Sequence, residues 1–95
     1  SRYYMSMKSG KIWGITEQKL SLPNLEVHRI VVKKGGFCSL HKHQTKFNAF
    51  IVEVGNLEVQ VHKTYGLVDS TLLKSGDVLS VPPGENHMFI AHSDV

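Results

Sequence analysis

The chain is short of several features that would point to other kinds of protein. Its 95 residues hold a single cysteine, Cys38, which excludes an internal disulfide framework and fits a reducing compartment. No apolar run approaches the ~20 residues that cross a bilayer. The N-terminus also lacks the charged and apolar pattern of a signal peptide. The expected setting is soluble and cytoplasmic, with no membrane partner. Charge of one sign is scarce too. The net charge is +3, and the 11 Lys and Arg are scattered, with Lys33/Lys34 and Lys42/Lys46 the tightest groups. A nucleic-acid binder gathers its cations in one stripe, so no nucleic-acid partner is expected. Helical periodicity is missing: residues 45–51 carry β-branched and aromatic side chains without a 3.6-residue repeat.

What is present is a set of short apolar runs separated by glycine, proline, asparagine and serine, the pattern of an all-β domain. Strands are predicted at 11–17, 25–33, 36–43, 47–54, 57–63, 66–73, 77–81 and 86–92. Alternation is clearest from Leu57 to His62, where apolar and polar residues trade faces. Gly55 and Asn56 read as a two-residue hairpin turn joining 47–54 to 57–63. Ser75, Gly76 and Asp77 mark another turn, and Pro82, Pro83 and Gly84 stop a strand, because proline gives the ladder no donor. Many short strands of similar spacing favour a closed barrel or jelly roll, which manages exposed edges. The expected interior is Phe50, Val52, Leu57, Val59, Val61, Leu79, Val81 and Phe89. The last run stops near Val95, so a closing strand is expected to be absent or very short. Ser1 in place of methionine is expected to reflect trimming or a tag remnant.

Two segments read as halves of one metal pocket. His41 and His43 stand two apart, which in an extended strand puts both rings on one face, about 7 Å apart along the strand. The same parity sends Phe37 and Ser39 to that face and Cys38 and Leu40 to the other, so Cys38 is expected to be a packed thiol. His87 follows the proline–glycine turn, which can swing its ring across to a facing strand. Three imidazoles form one face of a coordination shell suited to a divalent transition metal such as Zn, Fe, Mn or Ni. Asn48 stands where a carboxylate ligand is expected. It shares parity with Phe50, Val52 and Val54, so it is expected to point inward as a weak fourth ligand or a partner of bound water. Glu53 has the wrong parity, and Glu85 is read as a turn residue. His28, His62 and His92 have no partner at ligand spacing. Lys42, Lys46 and Arg29 are expected to draw a polar or anionic small molecule toward the pocket, with Phe50 lining it.

These residues resemble the cupin superfamily. Gly35, His41, His43 and Gly55 match its first motif, G(X)5HXH(X)3–4E(X)6G, and Gly76, Pro82, Gly84 and His87 match its second, G(X)5PXG(X)2H(X)3N. The departures are Asn48 for the glutamate and Ala91 for the final asparagine. A narrower resemblance is to the C-terminal cupin of type II mannose-6-phosphate isomerases. It rests on Trp13 and Gly14, the run from His28 to Gly35, and Ser39 and Leu40 leading into the ligands. That family's glutamine, arginine and glutamate are replaced by His41, Lys46 and Asn48. The resemblance implies one cupin jelly roll over 1–95, with motifs at 35–55 and 76–91 and an N-terminal extension or dimerisation segment at 1–10. It also implies a metal-dependent enzyme of dioxygenase, lyase or sugar isomerase/epimerase type, working as a homodimer. The alternative is a non-catalytic module for a sugar or small acid, with structural metal or none. Trp13, Tyr3 and Tyr4 are expected to pack against a second copy, the alternative being a lid over a bound ligand.

Overall fold

The computed structural model describes the backbone of residues 7–11 and 13–95, with side chains from residue 13 onward. The described residues form an all-β jelly roll of eight antiparallel strands. Strands β1 (Met7–Lys11), β2 (Gly14–Leu22) and β3 (Leu25–Val32) form a meander. Strand β4 (Asn48–Ile51) pairs with β7 (Val78–Val81). Strand β5 (Leu57–His62) lies between β6 (Val68–Leu73) and β8 (Asn86–Ala91). No helix among the described residues is long and apolar enough to cross a membrane.

Period-two alternation sets the two faces of the β6–β5–β8 sheet. Leu57 and Val59 of β5 and His87, Phe89 and Ala91 of β8 are buried, while Glu58, Gln60 and Ile90 face outward. The core joins these to Val32, Val52, Leu73 and Val81, with Trp13, Cys38, Phe50, Val61, Leu79 and Val95 packed at its margin. Burying each such valine or leucine stabilises the fold by about 1.5–3 kcal/mol. One polar side chain, His87, is buried among the described residues. The chain end closes the core, as Val95 and Val32 exchange two backbone hydrogen bonds of 2.8 and 2.9 Å.

Several expectations change. Residues 36–43 are not a regular strand. They run beside β8 and meet it in two bridges, Phe37 with Ile90 and His41 with His87. Phe37 is 57 % exposed and Cys38 takes the inner side, because parity does not carry through an irregular segment. Gly55 and Asn56 do not close a hairpin: β4 and β5 belong to different sheets, and Gly55 carries the chain between them. Its φ of 92° and the close approach of the Asp94 carbonyl leave no room for a Cβ. Val54 lies beyond the end of β4 and is 67 % exposed. The strand predicted at 11–17 is the end of β1 and the first half of β2, which continues to Leu22 through a bulge between Gln18 and Leu20. Residues 7–10 of the expected N-terminal extension are part of β1, while Tyr3 and Tyr4 lie outside the described residues. Trp13 packs on its own core, edge-on to Phe89 at 5.3 Å between ring centroids.

Candidate metal centre

His87 is held on the inner face of β8 by strand alternation, and only 1 % of it is exposed. Its Nδ1–H donates to the Glu85 carbonyl at 2.9 Å, since a ring nitrogen facing a carbonyl can only be a donor. Nε2 is then the atom that carries the lone pair. His41 is arranged the same way, with Nδ1–H donating to the Ser39 carbonyl at 2.8 Å. Backbone bonds of 3.0 and 2.7 Å between His41 and His87 fix the two segments side by side. The Gly84 N–H donates to the His43 carbonyl at 2.8 Å, tying the proline–glycine turn to the third histidine. The ring centroids lie 4.4 Å (His41–His87), 5.2 Å (His41–His43) and 5.7 Å (His43–His87) apart. One nitrogen from each ring lies within 4.8 Å of the others.

Asn48 opens β4 opposite Val81 and reaches this cluster from the facing sheet. Its side-chain N–H donates to His87 Nε2 at 3.1 Å. Phe50, two residues on, places its ring 6.1 Å from that of His87 and nearly perpendicular to it. Burial pushes the His87 pKa below its ordinary value. The Glu85 carbonyl opposes this, and the neighbouring His41 and His43 add to the lowering. No carboxylate joins the cluster among the described residues, and the Glu85 carboxylate is engaged by Lys63 at 3.0 Å instead.

The donor set fits a divalent transition metal. Three imidazoles converge, and two have their Nδ1–H tied to a carbonyl, which turns Nε2 toward a metal. Metal and the Asn48–His87 hydrogen bond use the same lone pair, so only one can be present at a time. An ion there requires the Asn48 amide to turn away or to present its oxygen.

The other expected site residues are dispersed. Lys42, between two of the histidines, lines a separate cleft with His62, Lys63 and Asn86. Lys46 lies 3.9 Å from Glu26, and Arg29 lies 3.9 Å from Glu53. The Ser39 and Glu85 carbonyls and Lys63 were not singled out by spacing. The carbonyls carry no residue signature, and Lys63 reaches the cleft only through the pairing of β5 with β8.

The sequence matches the cupin domain family over residues 28–95. The chain belongs to the cupin family. Solved structures similar to this cupin include the capsular polysaccharide assembling protein CapF from Staphylococcus aureus, with a TM-score of 0.83 and 18 % identity. That match covers 96 % of this chain and 26 % of CapF, so the cupin spans about a quarter of that protein. KdgF from Halomonas sp. matches with a TM-score of 0.79 at 17 % identity, over 99 % of this chain and 80 % of KdgF. Oxalate decarboxylase from Bacillus subtilis, a protein with Mn(II) centres, matches with a TM-score of 0.79 at 20 % identity, over 96 % of this chain and 25 % of its own. No curated protein matches the cupin by sequence.

Proposed function

We propose that this cupin holds a divalent transition metal (zinc, iron, manganese or nickel) through His41, His43 and His87, and acts there on a small polar or anionic molecule. The observation behind this reading is the tethering of His41 and His87 through Nδ1, which leaves Nε2 as the lone-pair nitrogen of each ring beside His43, that of His87 being shared with the Asn48 amide. A bound ion would supply Lewis acidity to an oxygen of the substrate. The Mn(II) centres of the oxalate decarboxylase support manganese as one candidate. Asn48 offers a neutral amide to orient a substrate oxygen, and Phe50 gives the site an apolar wall. The cluster has no carboxylate to serve as general base. That favours dioxygenase- or lyase-type chemistry over the isomerase or epimerase chemistry of the mannose-6-phosphate isomerases. The net charge of +3 favours an anionic substrate by long-range attraction. With its free cysteine, Cys38, the protein suits the cytoplasm. Metal analysis of freshly purified protein tests the reading. Stoichiometric metal that is lost in His41→Ala, His43→Ala and His87→Ala supports it. Metal-free protein whose stability does not change with added zinc, iron, manganese or nickel overturns it.

A second reading has its own observation. The Asn48–His87 hydrogen bond satisfies the pocket without an ion, and no buried side-chain polar atom among the described residues lacks a partner. The protein is then a non-catalytic module for a sugar or small acid. Recovery of such a ligand bound without turnover distinguishes it.

Either form of the protein pairs as a homodimer in this reading. The support is one face of the β2–β3 hairpin, where exposed Ile15 and Val31 stand opposite each other, as do Leu22 and Leu25, with Val27 exposed between. Sedimentation of wild type and Val27→Glu checks it, with a dimer expected to become a monomer.

A further inference from the structure

Strand alternation gives the β5–β8 wall a second, outward face, and a cleft of about 470 Å³ is cut into it. His62 and Asn86, which pair across the two strands, form its floor, and Lys42, Lys63 and Glu85 stand around it. Lys42 lies between His41 and His43 in sequence, and Asn86 directly precedes His87. The cleft therefore backs onto the same backbone segments that present the imidazoles.

Charge in this cleft is unbalanced. Lys63 is matched by the Glu85 carboxylate at 3.0 Å, whereas Lys42 has no carboxylate partner among the described residues. A row of side-chain hydrogen bonds leads into the floor. The Gln60 amide N–H donates to Glu58 at 2.8 Å, so the Gln60 oxygen is left to accept from His62 Nε2–H at 3.0 Å. Glu58 is itself anchored by the Ser70 hydroxyl at 2.6 Å and His92 Nε2–H at 2.7 Å. The ring of His62 thus stands at the end of a hydrogen-bonded row along the outer face. An organised floor with two ammonium groups above it, one unpaired, is suited to a compact anion with several acceptor oxygens.

We propose that this cleft is a binding site for a small oxyanion, a phosphate or carboxylate group, held between Lys42 and Lys63 over His62 on the face opposite the histidine cluster. Glu85 is the internal competitor for Lys63. Because Glu85 touches His87 through its carbonyl and Lys63 through its carboxylate, its side chain can be altered without removing the His87 contact. The site does not depend on whether the histidines hold a metal.

The test is a titration of the chelator-treated protein with inorganic phosphate, and separately with acetate, followed by NMR of the backbone amides and the His62 ring. Saturable shifts at Lys42, His62, Lys63 and Asn86 are expected. Phosphate alone producing them assigns phosphate esters, and acetate producing them equally assigns carboxylates. Lys42→Gln and Lys63→Gln should each weaken binding about fivefold or more, and Glu85→Gln should tighten it about threefold or more. The shifts should persist in His41→Ala, which separates this site from the metal reading. Absence of saturation by either anion overturns the proposal. So does binding indifferent to both lysine substitutions, or shifts that vanish in His41→Ala.

Discussion

Asn48 and His87 are joined by a hydrogen bond of 3.1 Å that crosses from the β4–β7 sheet to the β6–β5–β8 sheet and ends on the lone pair a metal ion would use. Position 48 is therefore a competitor for the histidine lone pair while it donates, and a ligand only when its oxygen is turned in. Replacing it with glutamate removes the donor and adds a charged acceptor. Asn48→Glu should raise affinity for zinc or manganese about tenfold or more, read by competition with a chromophoric chelator. Unchanged affinity would mean that position 48 does not face the ion.

The same bond contributes to stability without metal. Asn48→Ala leaves a buried imidazole nitrogen without its partner, and the chelator-treated protein should lose about 1–3 kcal/mol in urea unfolding. Added metal should restore part of that loss if the bare lone pair is used by an ion.

Burial holds His87 below its ordinary pKa of 6.5. In the range where the unfolded chain protonates this ring and the folded chain does not, protons favour unfolding. Its contribution is thus complete above about pH 6.5 and is lost as the pH falls through the lowered folded value. Urea midpoints of the metal-free protein should drop across that interval. His87→Gln should flatten the drop, whatever it does to stability at neutral pH.

Glu58 gives a second, lower window. The Ser70 hydroxyl, the Gln60 amide and His92 hold its carboxyl down from 4.5 to about 2. Its stabilising contribution is present above about pH 4.5 and disappears as the pH falls toward about 2. Glu58→Gln should remove that part of the acid dependence while leaving the His87 step, which begins as the pH falls below about 6.5. Parallel acid-unfolding curves for wild type and variant measure the difference.

Gly55 tests the connection between the sheets. Alanine there meets both a left-handed backbone and the Asp94 carbonyl, so Gly55→Ala should destabilise by more than about 1 kcal/mol. Alanine at Gly76, which has a positive φ but open space around it, should cost less. Thermal unfolding of the two variants side by side checks the order.

The histidine cluster is legible in the sequence because its signals are local: His41 and His43 lie two apart, and His87 follows a turn that proline and glycine dictate. The β5 alternation and most of the core are legible for the same reason, since Leu57, Val59, Val81 and Phe89 declare a face by parity. What escapes is pairing at a distance. Alternation cannot tell a laddered strand from an extended segment that meets its neighbour at two bridges, so Phe37 reads as inward and is not. Turn chemistry at Gly55 shows that the chain bends but not which sheet receives it. His62 reads as an ordinary polar-face residue because Lys42 and Lys63 meet it only after β5 and β8 align.

One consequence follows from the two backbone hydrogen bonds that His41 and His87 exchange. Main-chain pairing, rather than coordination, sets the distance between these two imidazoles. The fold therefore holds the two rings together by itself, and an ion entering between them would displace the Asn48 amide rather than draw two strands together.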